Sequence, residues 1–208
     1  MDYPSTADIE SQIANYTLHF DRLKDDEIEW RFQPPPFVVA FIEFIERFQR
    51  IPSQDEFADY YITKNRDVLN DEFLRKWDKS KRVEKKRALI ARLERAYPSF
   101  VRDIYFFAML CENGIRVEYD PAQDVQGGVD LIVTHAGEKI QLHVFLDTPR
   151  SRQGRAKKDR RHRFAGKHLD VLLRRDKCKQ IGLFWLPTLE DVRQIKHHLG
   201  IFDKEVEQ

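Results

Sequence analysis

Within the 21 residues from Gly128 to Thr148, GVDLIVTHAGEKIQLHVFLDT, the chain places a carboxylate at Asp130, a side-chain amide at Gln141 and an imidazole at His143. Val129–Thr134 and Lys139–Leu146 are rich in β-branched, aliphatic and aromatic residues. The short Gly-containing stretch His135-Ala136-Gly137-Glu138 between them reads as the turn of a β-hairpin. Strand side chains alternate between the two faces of a sheet. Asp130 falls in register with Ile132 and Thr134, and Gln141 with His143 and Phe145, so the three polar groups are expected on one side of the paired strands. An acid, an amide oxygen and an imidazole so placed could hold a divalent cation and carry a proton. Lone polar residues also line ordinary half-wetted sheets, and spacing alone leaves both readings open.

Other elements must position this hairpin. The chain has 208 residues, a net charge of +1, 34 % charged and 41 % hydrophobic residues, which fits one domain with an extension or two small ones. Ser5 with Asp8 opens a helix carried through Leu23 by Ile9, Ile13, Tyr16 and Phe20. After Pro34-Pro35-Pro36, Phe37–Gln49 is a strongly apolar helix, and Ser53 with Glu56 caps the next. The pair resembles a helix-turn-helix in outline, but the acids opening its second helix favour a plain helical hairpin. Leu69–Tyr97 reads as one or two helices, with a basic, solvated face over Lys76–Lys86. Pro98 breaks the pattern, Ser99 caps a new apolar helix to Cys111, and Asn113-Gly114 stops it. Asp103 lies in the first turns of that helix, where an acid complements the helix dipole.

Ile115–Tyr119 is then a short strand, and 120–127 a polar loop with Asp120 and Asp124. Beyond the hairpin, Arg150–Arg175 holds eleven Lys or Arg against two acids, an excess of nine positive charges beneath a near-neutral total. A helix over Pro149–His168 carrying most of that excess marks a polyanion surface. Gln180–Leu186, QIGLFWL, is a buried strand, and a last helix follows Thr188, capped with Asp191 and ended by Gly200. Cys111 and Cys178 lack zinc-ligand spacing and point to a reducing compartment. The first residues lack the apolar core of a signal peptide, and no stretch approaches a membrane span. A soluble, cytoplasmic protein without a membrane partner is expected.

From Ser99 onward the order helix, three strands, helix, strand, helix, with Asp130 and Gln141 eleven residues apart, resembles the PD-(D/E)XK nuclease superfamily. The resemblance covers about half the chain. It implies an α/β (α+β) architecture: a restriction-endonuclease-like mixed-sheet core over 98–208, flanked by helices and preceded by an all-helical region over 1–97. Asp130 matches the motif acid at the start of the second strand, and Gln141 its Glu/Gln position on the third. His143 stands where the motif has Lys, a departure that puts activity in doubt. A lysine from the next segment, Lys157, Lys158 or Lys167, could supply the missing cation. Asp103, with Glu112 as second choice, matches the acid contributed by the preceding helix.

The implied activity is Mg²⁺- or Mn²⁺-dependent endonucleolytic hydrolysis of phosphodiester bonds, with DNA as the first-choice substrate. Asp103, Asp130, Gln141 and His143 would be the catalytic set. The ion would be held by Asp130, Gln141, the Leu142 carbonyl, Asp103 and Asp120. Arg150, Arg152, Arg155, Lys157, Lys158, Arg161 and Lys167 would contact nucleic-acid phosphates. Assembly as a homodimer, or with another protein through the aromatic Phe37–Phe48 helix, stays open, as does a degenerate module that binds nucleic acid or a partner protein without cutting.

Overall fold

The structure, a computed structural model, describes residues 3–120, 129–149 and 167–201. It is mixed helix and sheet. It divides into two units, Met1–Val101 with Ile181–Phe184, and Arg102–Gln180 with Trp185–Gln208. Among the described residues no helix is long and apolar enough to cross a membrane.

The first unit is helical. Its α1 (Thr6–Ile13) starts at the Ser5/Asp8 capping box but ends ten residues before Leu23. Tyr16 leaves the helical stripe to donate its hydroxyl to the Ile51 carbonyl, and Phe20 is 57 % exposed. The stretch after α1 is fixed by cations from a long helix, α5 (Lys79–Glu112). Arg95 donates to the Asp21 and Leu23 carbonyls and pairs with Glu29. Lys85, buried and not solvated, bonds both oxygens of Asp25 at 2.9 and 2.7 Å and pairs with Glu27. Between these segments lie α2 (Phe37–Phe48), α3 (Gln54–Lys64) and α4 (Arg66–Lys76). The rings of Phe41, Phe57 and Tyr97 meet edge-on or tilted in the core.

Pro98 lies inside α5 and does not break it. A proline at 98 cannot donate to the Glu94 carbonyl one turn back. The Gln54 side chain fills the gap: its Nε2 donates to Glu94 at 2.9 Å and to the His19 carbonyl at 3.0 Å, while its Oε1 accepts the His19 N–H. Ser99 caps nothing and donates back to the Ala96 carbonyl at 2.6 Å.

The second unit is built on a four-stranded sheet, β1 (Val117–Glu118), β2 (Leu131–His135), β3 (Glu138–Leu146) and β4 (Lys167–Leu173), in that spatial order. The pairs β1–β2 and β2–β3 are antiparallel, and β3–β4 is parallel. The β2–β3 turn takes positive φ at Ala136 (49°) and Gly137 (80°), the twist that suits a two-residue hairpin.

The expected fourth strand is misplaced. Lys167–Leu173 fills that position, and Gln180–Leu186 folds back into a hairpin of β5 (Lys179–Ile181) and β6 (Phe184–Leu186). Its corner is Gly182 at φ +53°, where a Cβ would come within 2.9 Å of the Ala14 carbonyl oxygen. The final helix, α6 (Leu189–Leu199), has the expected Thr188/Asp191 capping box and ends at Gly200.

Candidate functional site

Register decides which side chains share a face. Leu131, Val133, Ile140, Leu142, Val144, Val171 and Leu173 are buried and form the core side. The opposite side is mixed. Ile132 lies opposite Gln141, Gln141 opposite His168, and His143 opposite Asp170. The rings of His143 and His168 stand 6.2 Å apart, edge to face. His143 is 2 % exposed, whereas His168 and Asp170 at the sheet edge are exposed.

Gln141 and His143 therefore project to one side, as expected. His168 and Asp170 join them there, and the sequence reading missed both. Their signal is the alternation His168-Leu169-Asp170-Val171-Leu172-Leu173, which is a strand pattern hidden by the basic run read as a helix.

Asp130 is placed by a different device. Leu142 is the register partner of Leu131, yet its carbonyl accepts the Asp130 N–H at 3.0 Å. Two residues entering β2 thus face one residue of β3, as in a β-bulge. Simple alternation does not carry back through that step. The Asp130 carboxylate turns along the edge of β3, where Oδ2 accepts the Val144 N–H at 2.6 Å. The acid stands beside β3, one residue past His143.

Three oxygens of the kind a hard cation takes lie along this stretch of β2 and β3. The Gln141 Oε1 is sealed from solvent and has no hydrogen-bond partner among the described residues, an uncompensated cost that an ion would remove. The Leu142 carbonyl faces β2 and accepts the Asp130 N–H, and one oxygen of the Asp130 carboxylate accepts the Val144 N–H. Thr134 Oγ1, diagonal to Gln141, is also sealed and unpartnered among the described residues.

Asp103 is buried at 9 % and lies well inside α5, so complementing a helix dipole is not its role. Among the described residues, no three His, Cys, Asp or Glu side chains come together as metal ligands. Asp103, Asp120 and Asp130 accordingly form no three-acid cluster. Glu112, the alternative helix acid, is exposed.

The expected phosphate contacts Arg150, Arg152, Arg155, Lys157, Lys158 and Arg161 lie outside the described residues, as does most of the helix expected over Pro149–His168. Lys167 is within them, in β4, with its ammonium paired to Glu138. No family model, curated protein or solved structure matches the chain.

Proposed function

We propose that the second unit is a metal-dependent nuclease with a restriction-endonuclease-like core, acting on phosphodiester bonds in nucleic acid, DNA in the first instance. The observation carrying this reading is the sheet itself: an antiparallel β1-β2-β3 meander with β4 parallel to β3, an acid at the bulged entry to β2, and Gln141 and His143 on one side of β3. Asp130, Gln141 and the Leu142 carbonyl would hold Mg²⁺ or Mn²⁺. That ion would lower the pKa of a bound water and offset charge developing on the phosphate. With one carboxylate in the set, water and substrate phosphate oxygens would complete the coordination. His143, held rigidly by burial, would orient or relay a proton for the attacking water, the task of the motif lysine.

The same observations support a second reading. Gln141 brings no charge and His143 replaces lysine, so the unit could bind nucleic acid or a protein without cutting. Incubating purified protein with supercoiled and single-stranded DNA, with Mg²⁺ and then Mn²⁺, separates the two. Nicking that disappears on chelation and in Asp130→Asn supports the nuclease. Intact DNA under all conditions, with salt-sensitive binding that Asp130→Asn leaves unchanged, supports the non-cutting module.

A further inference from the structure

Two imidazoles and an amide meet on the mixed face of the sheet. Gln141 and His143 reach that face from β3, two residues apart, and His168 on β4 is the register partner of Gln141. The three form a triangle across neighbouring strands. Its diagonal is closed by the rings: His143 and His168 stand 6.2 Å apart, their planes 67° from parallel. Two metal–nitrogen bonds of about 2.1 Å each, together with the two ring radii, span about 6 Å when imidazoles reach one ion from opposite sides. The observed separation is of that size.

The three residues differ in freedom in a way that suits a shared ion. His143 is 2 % exposed, so packing holds its ring. Gln141 Oε1 is sealed and has no hydrogen-bond partner among the described residues. His168 is exposed, and its ring can change rotamer without disturbing the core. Asp170, the register partner of His143, completes no three-residue His and acid ligand group among the described residues. Its carboxylate adds negative charge at the rim, and the third ligand falls to the amide oxygen. Apolar side chains border the group, Ile132 opposite Gln141 on one side and Phe145 opposite Leu172 on the other. Such a border limits solvent access and lowers the local dielectric around an ion.

The ligand types select the ion. Imidazole nitrogen suits Ni²⁺, Zn²⁺ and Co²⁺, whereas Mg²⁺ and Ca²⁺ take oxygen. We infer that His143, His168 and Gln141 hold a divalent transition-metal ion, each imidazole through one nitrogen and the amide through its oxygen, with water in the remaining positions. The exposed His168 ring turns to meet the ion at the fixed His143. This set shares Gln141 with the proposed nuclease ion but uses neither Asp130 nor the Leu142 carbonyl. Its occupation does not require the unit to cut nucleic acid.

Calorimetric titration of the untagged full chain with Ni²⁺, Zn²⁺ and Mg²⁺ tests it. Ni²⁺ and Zn²⁺ should bind, and Mg²⁺ should bind at least about tenfold more weakly than either. His168→Ala changes an exposed side chain, so the unfolding midpoint should hold while Ni²⁺ affinity falls at least about tenfold. Gln141→Leu removes a stranded oxygen and should weaken Ni²⁺ by about as much. Asp130→Asn should leave Ni²⁺ affinity unchanged, as should Ala at both His197 and His198, the adjacent pair on α6. Absence of Ni²⁺ and Zn²⁺ binding overturns the inference, as does undiminished affinity in His168→Ala or Gln141→Leu. Loss of binding in the His197/His198 variant would assign the ion to surface histidines, and loss in Asp130→Asn would assign it to the nuclease set; either overturns the site. DNA nicking is read in a separate assay, so failure of the nuclease reading leaves this result interpretable.

Discussion

Asp130 has a structural task and a proposed chemical one, and two substitutions separate them. Its Oδ2 stands in for the next main-chain acceptor of the β2–β3 ladder, taking the Val144 N–H at 2.6 Å. Val144 is 7 % exposed, so water cannot readily replace that acceptor. Hydrogen bonds to charged groups contribute about 1.5–3 kcal/mol; for a half-buried acid the lower end applies. Asp130→Ala should therefore cost about 2 kcal/mol. At roughly 2–4 °C per kcal/mol for a chain of this size, the midpoint should fall by about 4–8 °C. Asp130→Asn keeps an oxygen in the same place and loses only the charge assistance, so its midpoint should fall by less than about half as much. The chemical task makes no such distinction. Either change removes the only carboxylate proposed for the ion, and both should lower Mn²⁺-supported DNA cleavage by at least about 10²-fold. Calorimetry or fluorescence-monitored unfolding gives the first pair of numbers, and plasmid nicking the second. Near wild-type cutting by Asp130→Asn would refute the metal role. Unchanged stability in Asp130→Ala would refute the structural one.

The remaining expectations concern the whole chain. Gln54→Ala should cost about 2–3 kcal/mol, because it strands the His19 backbone groups and the Glu94 carbonyl. In a Pro98→Ala background the new N–H can serve Glu94, so the double-mutant cycle should show coupling of about 1 kcal/mol; simple additivity would contradict the Gln54–Pro98 account. Arg50 holds the Glu56 carboxyl down to about 2 by a two-pronged hydrogen bond. This contribution to stability should be complete above the ordinary glutamate value near ~4.3 and fade as pH falls towards about 2. Midpoints across that range should fall less in Glu56→Gln, with the effect kept small by the exposure of the pair. Mn²⁺ should support faster cleavage than Mg²⁺, since imidazoles of His143 and His168 share the face with Gln141. Equal rates with both ions, or an unchanged preference in His168→Ala, would remove that argument.

Signals that act within a few residues were legible in the sequence. The Ser5, Ser53 and Thr188 capping boxes, the turn at Ala136-Gly137 and the alternation through β3 are each completed by neighbours in the chain. The misreadings occurred where distant groups intervene. Pro98 should end a helix, but Gln54, more than forty residues earlier, occupies the carbonyl the proline leaves open. QIGLFWL has strand composition, but the approach of Ala14 to Gly182 belongs to a hairpin corner. Lys167–Leu173 alternates as a strand should, yet the basic residues before it suggested a helix that would absorb its first two positions. Tertiary partners decided all three cases, and local propensity cannot register them.

The same distinction governs the site. Asp130 looked like its strongest member because the motif begins with an acid, but the structure supplies a sufficient non-catalytic reason for an acid there: the bulge displaces the ladder, and a carboxylate completes it. Gln141 has no such explanation among the described residues. Its Oε1 is sealed on the mixed face, beside the His143–His168 pair, without a donor among the described residues. A leucine would fill that place without stranding a polar atom. Under the proposed function, an ion approaching Gln141 would remove that cost. The weight of the metal reading therefore rests more on the neutral residue than on the charged one.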